Sequence, residues 1–210
     1  MQKNIFLDSE GDAWFVRNKE KFDNINYELD PIVRALSIIH VSKSFGDRKV
    51  LEIGCSNGHR LAWLKEKFDL DCYGVDPSGK AISEAKIKGL KAEIGTADCL
   101  KYEKNYFDII IFGFCLYLCD REHLFRIACE ADRVLKKQGW LIIHDFFIDN
   151  DAQCDYHHRT GVTSYKMDYR KLFDWHPSYN CFEHKVLKHN DFLSTDDKTK
   201  WVATSVMRKY

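Results

Sequence analysis

Val50-Leu51-Glu52-Ile53-Gly54-Cys55-Ser56-Asn57-Gly58 is the stretch on which the reading of the fold turns. Apolar residues flank an acid, two glycines follow, and Leu61, Leu64 and Phe68 then recur at helical spacing. That pattern is a buried strand, a tight turn and a helix start. Glycine gives the turn angles closed to other residues and lets a ligand approach the main chain. The open amides of the helix N-terminus face the same place. A turn of this kind, at the carboxyl end of a parallel strand, is where open α/β sheets bind nucleotide-like ligands.

Spacing and charge then narrow the ligand. The dinucleotide fingerprint needs G-x-G-x-x-G, whereas here Ser56 stands between Gly54 and Gly58 with no third glycine in place. No lysine is positioned as in a phosphate-binding P-loop. Glu52, just before the first glycine, repels a diphosphate and attracts a cation such as a sulfonium carrying an amino group. Residues 71–76 read as a second strand ending in Asp76, whose carboxylate can accept hydrogen bonds from both ribose hydroxyls. Pro77 helps end that strand, and Ser78 starts a helix over residues 80–88. The β-branched run 107–114 is too continuous for a half-exposed strand and belongs at the sheet centre. Leu124, Ile127, Ala131 and Val134 form a helix stripe that closes with Lys136-Lys137-Gln138-Gly139, and residues 140–146 are a fifth strand.

These motifs resemble the class I SAM-dependent methyltransferases, whose first motif is (E/D)-x-G-x-G-x-G. Residues 52–58 match it except for Ser56 in place of the middle glycine. Residues 130–140 resemble the family's E-A-x-R-V-L-K-P-G-G, with Gln138 departing. The resemblance covers residues 48–146 and implies an α/β fold. Its sheet is seven-stranded and mostly parallel, in the order 3-2-1-4-5-7-6, with helices on both faces and an N-terminal helical lid. It implies S-adenosyl-L-methionine as cofactor and S-adenosyl-L-homocysteine as product. The cofactor contacts it implies are Glu52, Gly54, Cys55, Ser56, Gly58, Asp76, Pro77, Ala97, Asp98, Cys99 and Phe114, with Trp14 from the lid. Asp98 takes the adenine amino group and the Cys99 amide a ring nitrogen. Asp108 is structural, and Phe114 and Tyr117 lie near the reacting methyl.

A chain of 210 residues suits one domain: a lid over 1–46, a cofactor-binding core over 47–146, and a substrate-side insertion with closing hairpin over 147–210. Lys+Arg and Asp+Glu both number 32, so no basic excess advertises nucleic acid. No apolar run approaches the ~20 residues of a membrane span. The N-terminus has no apolar signal region, so the cytoplasm is the expected location and no membrane partner is expected. Several of the eight cysteines fall inside expected strands or helices, and Cys115 and Cys119 lack a second matching pair. They read as small buried apolar residues rather than disulfides or a metal site.

Trp14, Asn18 and Phe22 share one helical face, and Ile32, Leu36 and Ile39 form a second stripe after Pro31. The first face is either ordinary packing or a lid over the cofactor. Residues 147–166, with His157 and His158, form the least regular segment, and residues 164–169 start a short helix reaching Phe173. Residues 182–187 and 201–207 are the strands of a closing hairpin.

Methyl transfer is an in-line displacement that rewards orientation and a water-poor aromatic pocket, for which Trp14, Phe114, Tyr117 and Phe146 are available. A hydroxyl nucleophile also wants a general base. His144, near the end of the fifth strand, is the first candidate and His158 the second. Alternation sends His144 and Asp145 to opposite faces. An amine could dispense with a base. The expected activity is methylation of a small-molecule substrate, at a hydroxyl of a sugar-like or other biosynthetic metabolite. The alternatives are an RNA or protein methyltransferase, or a non-catalytic SAM-binding partner subunit. The first lacks a basic extension, and Phe112-Gly113-Phe114-Cys115 stands where an N-P-P-Y motif would.

Overall fold

Two buried strands, β1 (Lys49–Ile53) and β4 (Phe107–Gly113), apolar apart from Lys49, Glu52 and Asp108, pair in parallel at the centre of the sheet. The computed structural model describes residues 1–22, 25–39, 47–189, 191 and 193–210. On one side of this pair lie β2 (Asp71–Asp76) and β3 (Lys91–Ile94), also parallel. On the other lie β5 (Leu135–Phe146), β9 (Trp201–Lys209) and β8 (Tyr179–Lys188), the last two antiparallel. The order β3-β2-β1-β4-β5-β9-β8 is the expected 3-2-1-4-5-7-6 once strands outside this sheet are left uncounted.

Alternation along β4 explains why the sheet is covered on both faces. Ile109 and Ile111 join a cluster with Ile32, Leu36, Leu61, Leu64 and Ile82, from α3 (Pro31–Ile38), α4 (His59–Phe68) and α5 (Gly79–Ile87). Ile110 and Phe112 point the other way, to Ile127, Ala131 and Val134 of α6 (Leu124–Val134). A strand buried on both faces has to be apolar along its buried run, as residues 109–112 are. Caps fix where helices begin: Asp30 accepts the Ile32 and Val33 amides before α3, and Ser78 accepts the Ala81 amide before α5. Asp108 is structural as expected, accepting the Lys49 amide and the Lys136 ammonium.

Four expectations are corrected. α6 ends at Val134, and residues 135–139 already belong to β5, with Gln138 rather than Gly139 in the left-handed region at φ +62°. The segment 147–166 is not irregular: β6 (Ala152–Asp155) and β7 (Thr163–Lys166) form an antiparallel hairpin of their own. Residues 164–166 are therefore strand, and the helical turn before Phe173 covers only Tyr169–Leu172. Of the cysteines, Cys55 and Cys72 are buried but Cys99, Cys129 and Cys154 are exposed, all as free thiols.

Ahead of the sheet run α1 (Gln2–Ile5), a π-helical turn (Phe6–Glu10) and α2 (Gly11–Asn18). The second stripe packs as expected, with Ile32, Leu36 and Ile39 all buried. The lid boundary at residue 46 lies outside the described residues. Among the described residues no helix is long and apolar enough to cross a membrane, and no group of three His, Cys, Asp or Glu could hold a metal.

Candidate active site at the strand tips

The loop after β1 is held open by backbone geometry. Gly54 has φ +77°, and a Cβ there would lie 2.6 Å from the Cβ of Cys115, so only glycine passes. Gly58 has φ +69° as the N-cap of α4. Ser56, at the position where the family pattern has glycine, adopts φ +49°, a conformation that strains a non-glycine residue. The buried Cys55 thiol faces Gly74 and packs β1 against β2, so only its main chain borders the loop.

Asp76 ties this loop to the next. One carboxylate oxygen accepts the Ser56 amide and the other the Ser78 amide, both at 2.9 Å. Burial pushes its carboxyl up to about 6, against the pull of those two amides. Each oxygen keeps a further lone pair, so a ribose hydroxyl can still be accepted.

Glu52 is buried at the tip of β1 and shares the Arg60 guanidinium with Asp30. Burial would raise both carboxyls. Asp30, with its two capping amides and Arg60, is held below the usual range, whereas burial pushes Glu52 up to about 7. One guanidinium cannot neutralise two buried carboxylates. Glu52 Oε2 and Ser56 Oγ are buried with no hydrogen-bond partner among the described residues. An orphaned acceptor and an orphaned hydroxyl beside glycine-opened main chain fit the amino acid end of an adenosyl sulfonium.

Asp98 follows β3 and is also buried. Burial alone would raise its carboxyl, but the Lys3 ammonium at 2.7 Å and the Thr96 hydroxyl hold it below the usual range. Glu130 and Arg133 of α6 clamp the adjoining chain: Glu130 accepts the Leu100 amide, and Arg133 donates to the Leu100 and Tyr102 carbonyls. That clamp gives the E-A-x-R motif its physical meaning. Ala97 is buried beside Asp98, while the Cys99 amide donates to the Thr96 carbonyl at 3.2 Å and is not open to an adenine nitrogen.

The N-terminal helices lie across these tips. Gly11 abuts Pro77 and Ser78, since a Cβ there would meet Ser78 N at 3.1 Å and Pro77 C at 3.2 Å. Asp12 accepts the Ser78 hydroxyl at 2.7 Å and the Lys80 amide at 2.9 Å. Arg17 pairs with Glu10 and donates to the Tyr156 hydroxyl in the β6–β7 hairpin. Trp14 packs on Phe22 and its side chain comes close to the Tyr117 hydroxyl.

Past the tips of β4 and β5 a ring cluster forms. Phe114, held at the strained φ of +61°, has its ring 4.8–5.5 Å from those of Phe146, His189, His144 and Tyr117. Asp145 is the capping partner of the pair: it accepts the Leu116 and Phe146 amides, and burial pushes it up to about 7. His144 points the other way, its Nδ1 2.8 Å from the Thr204 hydroxyl. Burial lowers its imidazole to about 4, so it is neutral and a weak base. Burial raises the Tyr117 phenol far above its ordinary value. His158 does not join them: it is exposed at the hairpin turn, its ring against Tyr156 and His157. Sequence reading missed Arg60, Lys3, Asp12, Asp30 and His189. The Asp30-Pro31 cap signal could have found Asp30; the others are placed only by tertiary contacts.

A methyltransferase-domain family model matches residues 51–143. Among curated proteins, phosphoethanolamine N-methyltransferase 3 of Arabidopsis thaliana is 31% identical over 164 residues, covering 67% of this chain and 32% of that protein. An uncharacterized Haemophilus influenzae protein is 33% identical over 116 residues, covering 51% of this chain and 46% of the other. The chain thus spans from about a third to a half of the length of these relatives. Among solved structures, Burkholderia thailandensis 1,6-didemethyltoxoflavin-N1-methyltransferase, with its substrate and S-adenosylhomocysteine bound, superposes with a TM-score of 0.70 at 13% identity. The match covers 99% of this chain and 89% of that one. A methyltransferase from Haloferax volcanii, in complex with the activator Trm112, gives 0.65 at 17% identity, covering 95% and 97%. With its motifs in order on the complete sheet, the chain belongs to the class I SAM-dependent methyltransferases.

Proposed function

We propose that the protein transfers a methyl group from S-adenosylmethionine to an amine nitrogen of a small molecule. The observation that carries this is the ring cluster at the tips of β4 and β5, beside the cofactor loop, whose two imidazoles, His144 and His189, are both lowered by burial. When bound, the cofactor supplies an electrophilic methyl group on a sulfonium. Glu52 and Ser56 receive its amino acid end, Asp76 the ribose, and Asp98 the adenine amino group.

The rings of Phe114, Tyr117 and Phe146 exclude water, so a dispersing positive charge is not stabilised by hydration in the ground state. A hydroxyl acceptor, the expectation from sequence, needs a base near neutral pH. His144, lowered to about 4 and engaged by Thr204, supplies little basicity. An amine that has lost its proton to solvent brings its own lone pair. A small acceptor is supported by the enclosure of the rings, with Trp14 on one side and Lys166 against Phe146 on the other. The helices before β1 act as a lid, and the cytoplasm is the proposed location.

The test incubates protein and labelled S-adenosylmethionine with a panel of small amines and their hydroxyl counterparts, resolving products by mass spectrometry. Label on nitrogen of a small product is expected. Label on oxygen, or only on RNA or protein, overturns the reading.

A further inference from the structure

At the opposite end of the sheet from the cofactor loop, a cavity of about 430 Å³ is bordered by Ile39, Arg48, Asp108, Lys137, Trp140 and Arg208. β1 runs from Lys49 on this side to Ile53 at the loop, so a whole strand separates the two places. Arg208 of β9 stands across the ladder from Trp140 of β5. Its guanidinium carbon lies 4.9 Å from the centre of the Trp140 ring and 5.6 Å from that of Tyr210. Stacking uses the faces of a guanidinium and leaves its N–H groups in the plane. Arg208 Nε is buried with no hydrogen-bond partner, and neither Arg208 nor Lys137 has a carboxylate partner, among the described residues. The acid on the wall, Asp108, has both oxygens engaged by the Lys49 amide and the Lys136 ammonium. Two unpaired cations therefore border a cavity whose carboxylate is already neutralised. Gln138, between Lys137 and Trp140, holds the strained φ of +62°, and this turn brings both neighbours to the one cavity.

We propose that this cavity is a second ligand site, for a small molecule bearing a single carboxylate on an aromatic body. The carboxylate takes the edge of the Arg208 guanidinium, with Lys137 at the rim, and the aromatic body lies against Trp140 and Ile39. The site is independent of the methyl acceptor and of the reading given for it. A guanidinium edge is a planar fork that a carboxylate meets with two parallel hydrogen bonds. An oxygen drawn into that fork gives the orphaned Nε an acceptor and removes the cost of a buried donor without one. Asp108 on the wall disfavours a dianion such as phosphate. The indole and Ile39 offer apolar surface that a plain inorganic anion leaves uncovered. The volume falls within the range of small-molecule pockets.

The experiment titrates phenylacetate into the full chain by calorimetry, with the protein free and again with S-adenosylhomocysteine present. Saturable binding at one site is expected, with a Kd of about 1 mM or tighter that is equal in both forms. Arg208→Gln should weaken it about tenfold or more, and Arg208→Lys nearly as much, because an ammonium lacks the fork. Added salt should weaken it too. Should the Arg208 variants fail to fold, Lys137→Glu, at an exposed position, reads the same site and should weaken binding about threefold or more. Inorganic phosphate and 2-phenylethanol separate charge alone and ring alone from their combination, and each should bind more weakly than phenylacetate. Binding that does not saturate, that survives both Arg208→Gln and Lys137→Glu, or that either control matches, overturns the proposal. So does competition with S-adenosylhomocysteine, which would put phenylacetate at the strand tips instead.

Discussion

On the β1–β3 side of the site, each proposed ligand group sits in a short segment that reads on its own: Glu52 through Gly58, Asp76 with Pro77, Ala97 with Asp98. On the β4–β5 side, the rings that meet are Phe114, Tyr117, Phe146 and His189, brought together by sheet register and a bulky residue at positive φ. The first half is built from main-chain geometry and buried carboxylates, the second from side chains distant in sequence. The difference separates what the two halves do. Holding an adenosyl group depends on fixed amides and strand-tip acids, whereas choosing an acceptor depends on a wall that can be rebuilt without disturbing them.

The largest expected effect separates the halves most sharply. Asp76→Ala removes the brace on the Ser56 and Ser78 amides together with the ribose acceptor, and should cost about a hundredfold in S-adenosylhomocysteine affinity by calorimetry. The packing of Phe114, Tyr117 and Phe146 on the other side, read from near-ultraviolet circular dichroism, should be unchanged. An equal loss on both sides would make the division false.

Next comes pH. Burial pushes Glu52 up to about 7 in the free protein, and a cationic amino group binds the carboxylate form. Affinity should therefore be full above about 7 and fall about tenfold per pH unit below it, a slope that Glu52→Gln abolishes. A slope surviving in Glu52→Gln would move the titration to another group.

The smallest effect concerns the lid. The Lys3–Asp98 pair must part if the adenine amino group is to reach Asp98, and a part-exposed pair of this kind is worth ~0.2–1 kcal/mol. Lys3→Ala should thus tighten S-adenosylhomocysteine binding by up to about fivefold. Weaker binding would make Lys3 a ligand contact rather than a latch.

What the sequence made legible follows the same division. The apolar run of β4, the glycine turn after β1 and the acid ending β2 each carry a local physical signal, so the strand-tip acids could be read directly, whereas the strand order came with the family resemblance. Arg60 could not, because its meaning depends on Asp30 and Glu52 arriving at the same helix. Nor could the hairpin at 152–166, where exposed β6 and part-buried β7 lack the alternation of apolar and polar residues that marks a strand in sequence. His144 was placed correctly at the tip of β5, but its burial and its bond to Thr204 across β9 are properties of the closing hairpin. Ser56 shows the reverse: the departure from the glycine pattern was visible, and the structure supplies its consequence in a strained φ.

The most direct test of the account is the crystal structure of the protein with S-adenosylhomocysteine bound. The adenosyl group is expected between Pro77 and Asp98, with Lys3 withdrawn from Asp98 and the ligand's amino group on Glu52 Oε2. Density for the ligand elsewhere, with the Lys3–Asp98 pair intact and Glu52 Oε2 still unpartnered, would contradict it.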